Sequence, residues 1–310
     1  MGKRIPITRL TAFFAAFPNE KACEDYLFKL LYPNGFICPR CGSKSFGRIK
    51  GRKELQCHRC RHQTSLTKGS IMQNTHLALR KWFLAIFLLT HDKRGYSALS
   101  LAHELNVSRQ TATYLVQRIR AAMALSVIPN ALGGIIEIDD AYIGAKSKTR
   151  GRGTEKVSFM VAVEKSKAGN VSLRASESLK GDDYKTFAYD HISHSSKIRS
   201  DGFRAICSGL ASYAGHRPET FCADDCERSL PTVHHIISNF KAMVAGTYHG
   251  VRKDFMQSYM DEFSYRYNNR RNADVFHTLL SDVCFSPKQR KAMILALSKA
   301  QDLGTSRIAA

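Results

Sequence analysis

Four cysteines in two closely spaced pairs constrain the fold of this chain more than any other feature. Cys38, Cys41, Cys57 and Cys60 have the spacing C-x2-C-x15-C-x2-C, in which two tight turns offer four thiolates to one tetrahedral ion. Four sulfur ligands leave no open coordination position, so the spacing predicts a structural Zn²⁺ and not a catalytic one. Disulfides or free thiols are the alternatives. The nine cysteines are an odd number, and the metal pattern favours a reducing, cytoplasmic location in which disulfides do not fit.

The balance of charge predicts a polyanionic partner. The 310 residues include 47 Lys and Arg against 26 Asp and Glu, a formal net charge of +21, which favours DNA. An anionic membrane surface is the alternative, but the basic residues are spread along the whole chain and do not line one amphipathic helix. The richest apolar stretch, from Trp82 to Leu89, is too short to cross a bilayer and predicts a buried helix. We therefore expect DNA as the partner and no membrane.

Changes in sequence periodicity divide the chain into four parts. Residues 1–66 contain short helices and the cysteine module, and residues 67–130 are helical up to the breaking stretch "PNALGG". Residues 131–275 begin with three β-rich runs, continue with alternating helices and strands, with a fifth strand at 219–224, and end in helices. This order predicts one α/β domain with a mixed sheet and flanking helices. Residues 276–310 are expected to form a C-terminal helical tail.

The segment from Arg94 to Met123 predicts a helix-turn-helix. Its apolar positions divide between two helices joined at Asn106 to Ser108, and Ser108 is a favourable N-cap for the second. That helix presents side chains able to reach phosphates and base edges in a major groove. They are Arg109, Gln110, Thr113, Tyr114, Gln117 and Arg118. Plain packing of two helices would give a similar pattern and remains the alternative.

Two aspartates stand at the ends of predicted strands. Asp139 follows the β-branched run in "IIEIDDAYIG", and Asp201 ends the short strand in "KIRSDGF". Two such aspartates on separate strands can hold a divalent ion between them, as in two-metal phosphoryl transfer. Many strands end in Asp because it forms turns, so this pattern alone leaves both interpretations open.

The stretch "TVHHIISNFKAMVAGTYHGV", from Thr232 to Val251, predicts an amphipathic helix with one functional edge. At 100° per residue its apolar side chains share one face, and His234 and Lys241 fall together on the opposite face. The adjacent His235 points to the flank. One histidine and a lysine seven residues later therefore share a polar edge.

These motifs together resemble those of DDE-type bacterial insertion-sequence transposases, in the group with an N-terminal zinc ribbon and a catalytic set of two Asp, a variable third residue and Lys. The residues that carry the resemblance are "YPNGFICPRCGS", "CHRC", "EIDDAYIGAK", "SDGF", "VHHIISNFK", "GTYHGV" and "YMDEFSYRYNNRR". The resemblance implies an RNase H-like catalytic domain. It assigns Asp139 as the first acid, Asp201 as the second, His234 to the variable position and Lys241 as the lysine. Asp140 directly follows Asp139, but the motif favours Asp139.

The resemblance also implies a mechanism and partners. Two Mg²⁺ or Mn²⁺ ions would activate water to nick the element end and then activate the freed 3′-hydroxyl to attack target DNA. Asp139 and Asp201 would ligate the ions, His234 would ligate one ion or orient the nucleophile, and Lys241 would contact a phosphate near the scissile bond. The partners are the element ends and the target DNA, bound by a homodimer or a larger assembly.

Several alternatives remain open. Imidazole suits Mn²⁺ better than Mg²⁺, and a second interpretation of His234 is a copy that has lost its third acid and its activity. A DNA-binding regulator that uses only the ribbon and the helix-turn-helix, and a nuclease without strand transfer, are the other functional classes. A further set of polar residues suits either contacts with DNA at the edge of the site or helix packing. They are Tyr248, His249, Arg266, Tyr267, Arg270 and Arg271.

Overall fold

A computed structural model describes residues 6–92, 94–126, 132–144, 156–167, 169–219 and 230–284. The described residues form two compact units, one of residues 6–125 with 272–284 and the other of residues 126–271. Two of the sequence expectations fall partly outside the described residues. They concern most of the fifth strand and the C-terminal segment after residue 284.

The first unit combines a small antiparallel sheet with six helices. Its elements are α1 (Leu10–Ala16), α2 (Glu20–Leu31), β1 (Phe46–Arg48), β2 (Glu54–Cys57), β3 (Gln63–Ser65), α3 (Leu79–His91), α4 (Ala98–Leu105), α5 (Arg109–Leu125) and, from the end of the chain, α10 (Val275–Cys284). The sheet has the order β1-β2-β3, and α10 packs against α3 and α5. The described part of the predicted tail is therefore a helix of this first unit.

Helix α3 contains the apolar stretch that the sequence assigns to a buried helix. Trp82, Phe83 and Ile86 are fully buried in it, and the ring of Phe83 lies near that of Phe276 of α10. Burial within the protein thus accounts for the apolar character of this stretch. Within the described ranges, no helix combines the length and the apolar composition that crossing a bilayer requires.

Local capping explains why α4 and α5 form two helices and not one. The hydroxyl of Ser97 accepts the N–H of Ser100 at the start of α4, and Asn106 ends that helix in a left-handed conformation with φ of 47°. The hydroxyl of Ser108 then accepts the N–H of Thr111 at the start of α5. Each cap satisfies a backbone group that the helix itself leaves unpaired, so the turn lies where the sequence predicts it.

The second unit is built on a five-stranded mixed sheet. Its strands are β4 (Ile135–Ile143), β5 (Val157–Glu164), β6 (Val171–Ser176), β7 (Lys197–Asp201) and β8 (His216–Glu219), in the spatial order β6-β5-β4-β7-β8. The first three strands pair antiparallel, whereas β7 and β8 run parallel to β4. The α/β domain with a mixed, RNase H-like sheet is confirmed.

The fifth strand begins earlier than the stretch predicted from the sequence, most of which lies outside the described residues. The sequence places it at 219–224, but β8 begins at His216 and the residues after Glu219 are not described. Among the described strands β8 pairs only with β7, and its side chains are largely exposed. An edge strand of this kind tolerates Pro218 and needs no alternating apolar residues, so the periodicity of the sequence did not locate it.

Helices cover both faces of this sheet. Helices α6 (Gly181–His191) and α7 (Arg204–Gly209) pack on the face that contains Ile136 and Ile138. Helices α8 (Pro231–Thr247) and α9 (Met256–Asn268), joined by a short 3-10 helix at Lys253–Phe255, pack on the face that contains Ala141. Because side chains alternate along a strand, the odd-numbered residues of β4 face α8, and Asp139 is one of them.

Candidate active site and metal-binding cluster

The four predicted zinc ligands lie together in the ribbon. Cys38 and Cys41 precede β1, whereas Cys57 and Cys60 lie at the end of β2 and in the turn that follows. Their sulfur atoms all lie within 4.8 Å of one another, and the distances Cys38 to Cys60 and Cys41 to Cys57 are both 3.6 Å. Tetrahedral coordination with Zn–S bonds of about 2.3 Å puts the sulfurs about 3.8 Å apart. The four residues therefore fit a structural zinc ion.

Backbone amides favour the thiolate form of two of these cysteines, Cys57 and Cys38. The N–H of Ser43 has the same effect on Cys41, but burial and the neighbouring sulfurs outweigh it and raise the pKa of Cys41 to about 12. The N–H of Cys60 lowers the pKa of Cys57, against the opposing effect of burial, to about 6. Burial would raise the pKa of Cys38, but the backbone amides of Arg40 and Cys41 outweigh it and lower the pKa. A lowered pKa favours the thiolate, which is the form that binds zinc.

The two candidate aspartates occupy matching positions on neighbouring parallel strands. Ile138 of β4 pairs with Ser200 of β7, and Asp139 and Asp201 are the next residue on each strand. Residues at the same level of two parallel strands project to the same face of the sheet. Both carboxylates therefore belong to the face covered by α8. The Asp201 carboxylate also accepts the N–H of Phe203, so it forms the turn that the alternative interpretation proposed.

Helix α8 brings the predicted histidine to this pair. His234 is partly buried and its Nδ1 lies 3.6 Å from Oδ2 of Asp139, whereas the adjacent His235 is exposed. The apolar residues Ile236, Ile237 and Phe240 of the helix are buried against the sheet. The helical phase read from the sequence thus separates the two histidines as the structure does.

Burial and neighbouring acids make the ionised form of Asp139 unfavourable. Its side chain is 15% exposed, and desolvation raises its pKa to about 7. The N–H of Asp140 donates to Oδ1 at 2.7 Å and lowers the pKa, while the charges of Asp140 and Asp201 raise it further. A carboxylate in such surroundings gains free energy when a cation binds beside it. The donor set therefore suits a divalent metal ion, although it is more open than the cysteine cluster.

Lys241 lies near enough to Asp139 for their charges to interact, two helical turns after His234. Desolvation lowers the pKa of Lys241, the nearby charge of Lys156 lowers it further, and Asp139 raises it. Lys156 directly precedes β5 and is a cation that the sequence motifs did not identify. A pair of lysines at one side of the carboxylates suits a phosphate group.

Asp140 lies on the opposite face of β4. The hydroxyl of Tyr184, on α6, donates to Oδ1 of Asp140 at 2.6 Å. Strand alternation therefore separates the two adjacent aspartates, and only Asp139 shares a face with Asp201 and His234. The structure places Asp139 and Asp201 on the face of the sheet covered by α8, with His234 and Lys241 near Asp139, and leaves Asp140 on the other face.

Most of the predicted recognition side chains lie on the exposed side of α5. Around a shallow surface depression stand Arg109, Gln110, Thr113, Tyr114 and Gln117. Arg118 differs from them, because its guanidinium donates to the backbone carbonyl of Ile71 and stacks 4.4 Å from the ring of Tyr114. Arg118 thus holds its neighbours in place, a role that helical phase does not reveal.

The further set of polar residues is engaged mainly within the fold. Tyr248 donates to Glu262 at 2.7 Å, and Arg266 pairs with the same buried carboxylate at 3.2 Å. Arg270 and Arg271 donate to backbone carbonyls of Lys167 and Gly169. These contacts favour packing over DNA contact for Tyr248 and Arg266.

Glu137 is a residue near the site that the motif analysis missed. It is fully buried on β4, two residues before Asp139, and its carboxylate accepts N–H groups at the start of α8. Side-chain alternation along β4 places Glu137 on the same face as Asp139, and this alternation is the sequence feature that could have identified it. Its contact with α8 spans 95 residues of sequence and has no local pattern.

Comparisons with known proteins show what this chain is similar to. Residues 131–268 match the family model of the ISXO2-like transposase domain, and residues 18–63 match that of the transposase zinc-ribbon domain. An uncharacterized protein in transposable element ISH50 of Halobacterium salinarum is 27% identical, over 61% of this chain and 69% of that protein. A Mos1 transposase paired-end complex with left transposon end shares 15% identity, over 66% of this chain and 79% of that chain, with a TM-score of 0.27. The resemblance to insertion-sequence transposases is confirmed.

Proposed function

We propose that this chain, an insertion-sequence transposase by its zinc-ribbon and ISXO2-like transposase domains, cleaves DNA at the ends of its element and joins the freed 3′ ends to target DNA. One observation carries the proposal. Asp139 and Asp201 stand at matching positions of two parallel strands, and His234 approaches Asp139 to 3.6 Å. An ion-binding group of this kind on one face of the sheet is what phosphoryl transfer requires.

Asp139, Asp201 and His234 would hold the catalytic metal ions. Divalent ions bound there would polarise a phosphoryl oxygen and help to deprotonate the attacking water or 3′-hydroxyl. Asp139 has to be ionised to act as a ligand, and because burial raises its pKa to about 7, it holds a proton over part of the physiological range. Ion binding would release that proton. His234 would act as a neutral imidazole ligand or orient the nucleophile.

Lys241 would bind a phosphate beside the scissile bond. Its ammonium group interacts with the charge of Asp139, and Lys156 adds a second positive charge nearby. Two cations at one edge of an acidic site favour a polyanion that would otherwise be repelled by the carboxylates. The lysines would therefore position the DNA backbone, while the carboxylates act on the bond to be broken.

The helix-turn-helix would supply recognition of the element ends. Arg109, Gln110, Thr113 and Gln117 are available on the surface of α5, while Arg118 is bound to the Ile71 carbonyl. The net charge of +21 favours DNA in addition. Two ends have to be held together during transposition, so the active form is proposed to be a homodimer or a larger assembly.

Cleavage of DNA that carries the terminal inverted repeats flanking the gene tests the proposal. With Mg²⁺ or Mn²⁺, Asp139→Asn and Asp201→Asn should each reduce cleavage by about a thousandfold or more, the order of effect when stabilisation of developing charge is lost. Binding to the same DNA, measured by gel shift, should persist. Asp140→Asn is the matched control, because the amide oxygen of the new side chain would still accept the hydroxyl of Tyr184 on the opposite face.

Each outcome separates the functional classes. Cleavage followed by joining of 3′ ends supports a transposase, and cleavage without joining indicates a nuclease. Specific binding without cleavage by the wild-type chain indicates a DNA-binding regulator or an inactive copy. Equal loss of DNA binding and cleavage in Asp139→Asn and Asp201→Asn contradicts the assignment of these residues to catalysis.

A further inference from the structure

We propose that Glu137 is a positioning residue whose buried carboxylate fixes α8 in the orientation that sets His234 beside Asp139. The inference rests on the proposed function for the metal-binding role of these two residues. The position of the helix, in contrast, can be measured without any activity. Glu137 thus connects a strand that carries one ligand to the helix that carries another.

The carboxylate of Glu137 caps α8 from a distant strand. Its Oε2 accepts the N–H groups of Thr232 at 2.9 Å and of Val233 at 3.1 Å, and the side chain is fully buried. An acidic group at a helix N-terminus is favourable, because the first N–H groups have no partner within the helix and carry a partial positive charge.

Helix α8 does not supply its own cap. Leu230 at the N-cap position makes no capping hydrogen bond through its side chain, and Pro231 at the first position has no N–H to satisfy. The N–H groups of Thr232 and Val233 are therefore the first that need acceptors. Glu137 provides both, in the way that Ser or Asp provides one at an ordinary N-cap.

Two cations lie near the second oxygen of the buried carboxylate, which makes no hydrogen bond of its own. Oε1 of Glu137 lies 3.5 Å from Nη1 of Arg199 and 3.7 Å from Nζ of Lys165. Arg199 also donates to Glu219 on β8 at 2.8 Å. A buried charge is tolerated only when it is paired and hydrogen-bonded. Glu137 thus has an ion-pair contact with Arg199 of β7 and with Lys165, just after β5, in addition to its hydrogen bonds to α8, and these contacts relate the start of the helix to the sheet.

The position of this cap determines the orientation of His234. His234 follows Val233 directly, and one residue of helical rotation is 100°. A rotation of α8 by even part of that angle would move the imidazole away from Asp139, from which it now lies at 3.6 Å. Glu137 and Asp139 are two residues apart on one strand face, so the anchor and the ligand share the same rigid element.

Two conservative variants of the full-length chain test the role of Glu137. Glu137→Gln keeps a carbonyl acceptor at the same distance and loses the charge, whereas Glu137→Asp keeps the charge and shortens the reach by one methylene. Hydrogen exchange by mass spectrometry on a peptide that covers Thr232 and Val233 reports the cap. Binding of Mn²⁺ alone, measured by calorimetry, reports the ligand set.

We expect Glu137→Asp to increase exchange at the start of α8 and to weaken Mn²⁺ binding by about tenfold, the effect expected when a group that orients a metal ligand is lost. Glu137→Gln should stay within about threefold of wild type in both measurements, because the neutral acceptor still reaches the N–H groups. Glu164→Ala is the matched control. Glu164 on β5 accepts the N–H groups of Gly133 and Asn170 in the same domain, and strand alternation places it on the face of β5 opposite α8, so both readouts at the site should be unchanged.

The outcomes separate this inference from the proposed function. Wild-type exchange and Mn²⁺ affinity in Glu137→Asp overturn it. A loss in Glu137→Gln larger than that in Glu137→Asp overturns it as well, because the charge and not the reach of the hydrogen-bond acceptor would then be decisive. If Mn²⁺ binding by the wild-type chain does not depend on Asp139, the proposed function fails. The exchange measurement still decides whether Glu137 holds α8.

Discussion

The zinc ribbon holds the ligands of a structural metal ion and the acidic site holds the proposed ligands of a catalytic one, but the two sites are assembled in opposite ways. The four cysteines lie between Cys38 and Cys60, and their sulfurs stand within 4.8 Å of one another. The acidic site draws its residues from Asp139 to Lys241, on two strands and a helix. Within the described residues, no cluster apart from the cysteines brings three potential ligands so close.

This difference shows whether the metal ion stabilises the fold or the fold stabilises the site. The ribbon has a small buried core, made of Phe36, Cys38, Leu55, Cys57 and Leu66, so two of its five buried residues are ligands. Its fold therefore depends on the ion. The acidic site, in contrast, is held by large apolar clusters on both faces of the sheet, and these hold a carboxylate where its ionisation is unfavourable. In the ribbon the metal ion stabilises the fold. In the α/β domain the packing of the apolar clusters offsets the unfavourable free energy of burying the Asp139 carboxylate.

Removal of zinc should give the largest effect. Chelation, or Cys57→Ser, should unfold β1 to β3, because structural zinc sites contribute on the order of 10 kcal/mol. Hydrogen exchange on peptides from residues 46–65 would measure the loss. Cys207→Ser is the control, since Cys207 lies in α7 of the other unit. Retention of exchange protection in β2 after chelation would contradict the contrast drawn here.

Removal of the Asp139 charge should stabilise the metal-free protein, whereas removal of zinc should destabilise it. Between about pH 4 and pH 7 the folded state of the metal-free chain retains a proton on Asp139 that the unfolded state releases, so stability falls as the pH rises through this window and stays low above it. Asp139→Asn should therefore stabilise the metal-free catalytic domain at pH 8 by a few kcal/mol, at about 1.4 kcal/mol per pKa unit. The gain should disappear near pH 4. Urea unfolding at several pH values measures it.

Asp183 provides a control for that experiment, because its substitution should change the stability in the opposite direction. The hydroxyl of Ser178 lowers the pKa of Asp183, and the Asp183 carboxylate accepts the N–H of Lys180 at the start of α6. Its contribution to stability is present above its unfolded pKa and is lost as the pH falls through the lowered value. Asp183→Asn should therefore destabilise the domain at pH 8. If Asp139→Asn has the stability of the wild type at pH 8, the charge of Asp139 does not destabilise the fold.

The smallest expected effect concerns the choice of metal. His234→Glu replaces an imidazole by an oxygen ligand and should narrow the preference for Mn²⁺ over Mg²⁺ by about tenfold, because Mg²⁺ favours oxygen. Ratios of cleavage rates in the two ions measure this preference. His235→Glu is the matched control, since the neighbouring His235 is exposed and points away from Asp139. An unchanged ratio in His234→Glu would remove His234 from the ligand set.

Local patterns predicted much of the molecule. The cysteine spacing defined the ribbon, the N-cap Ser108 located the start of α5, and helical phase distinguished His234 from His235. Each of these depends on residues within a few turns of one another. Contacts between distant segments were not predictable in the same way. The cap that Glu137 provides to α8, the packing of α10 on α3 and α5, and the Arg118 bond to Ile71 all join residues that no short pattern relates.

The parallel pairing of β4 with β7 has a consequence for synthesis of the protein. Parallel neighbours require a crossover connection, and here the chain completes β5, β6 and α6 before β7 can pair. His234 and Lys241 follow later still. A chain that is still being synthesised, or one truncated before residue 231, has the ribbon and the recognition helix but lacks the helix of the site. Under the proposed function, such a chain would bind the element ends without cutting them and would compete with the complete chain for them.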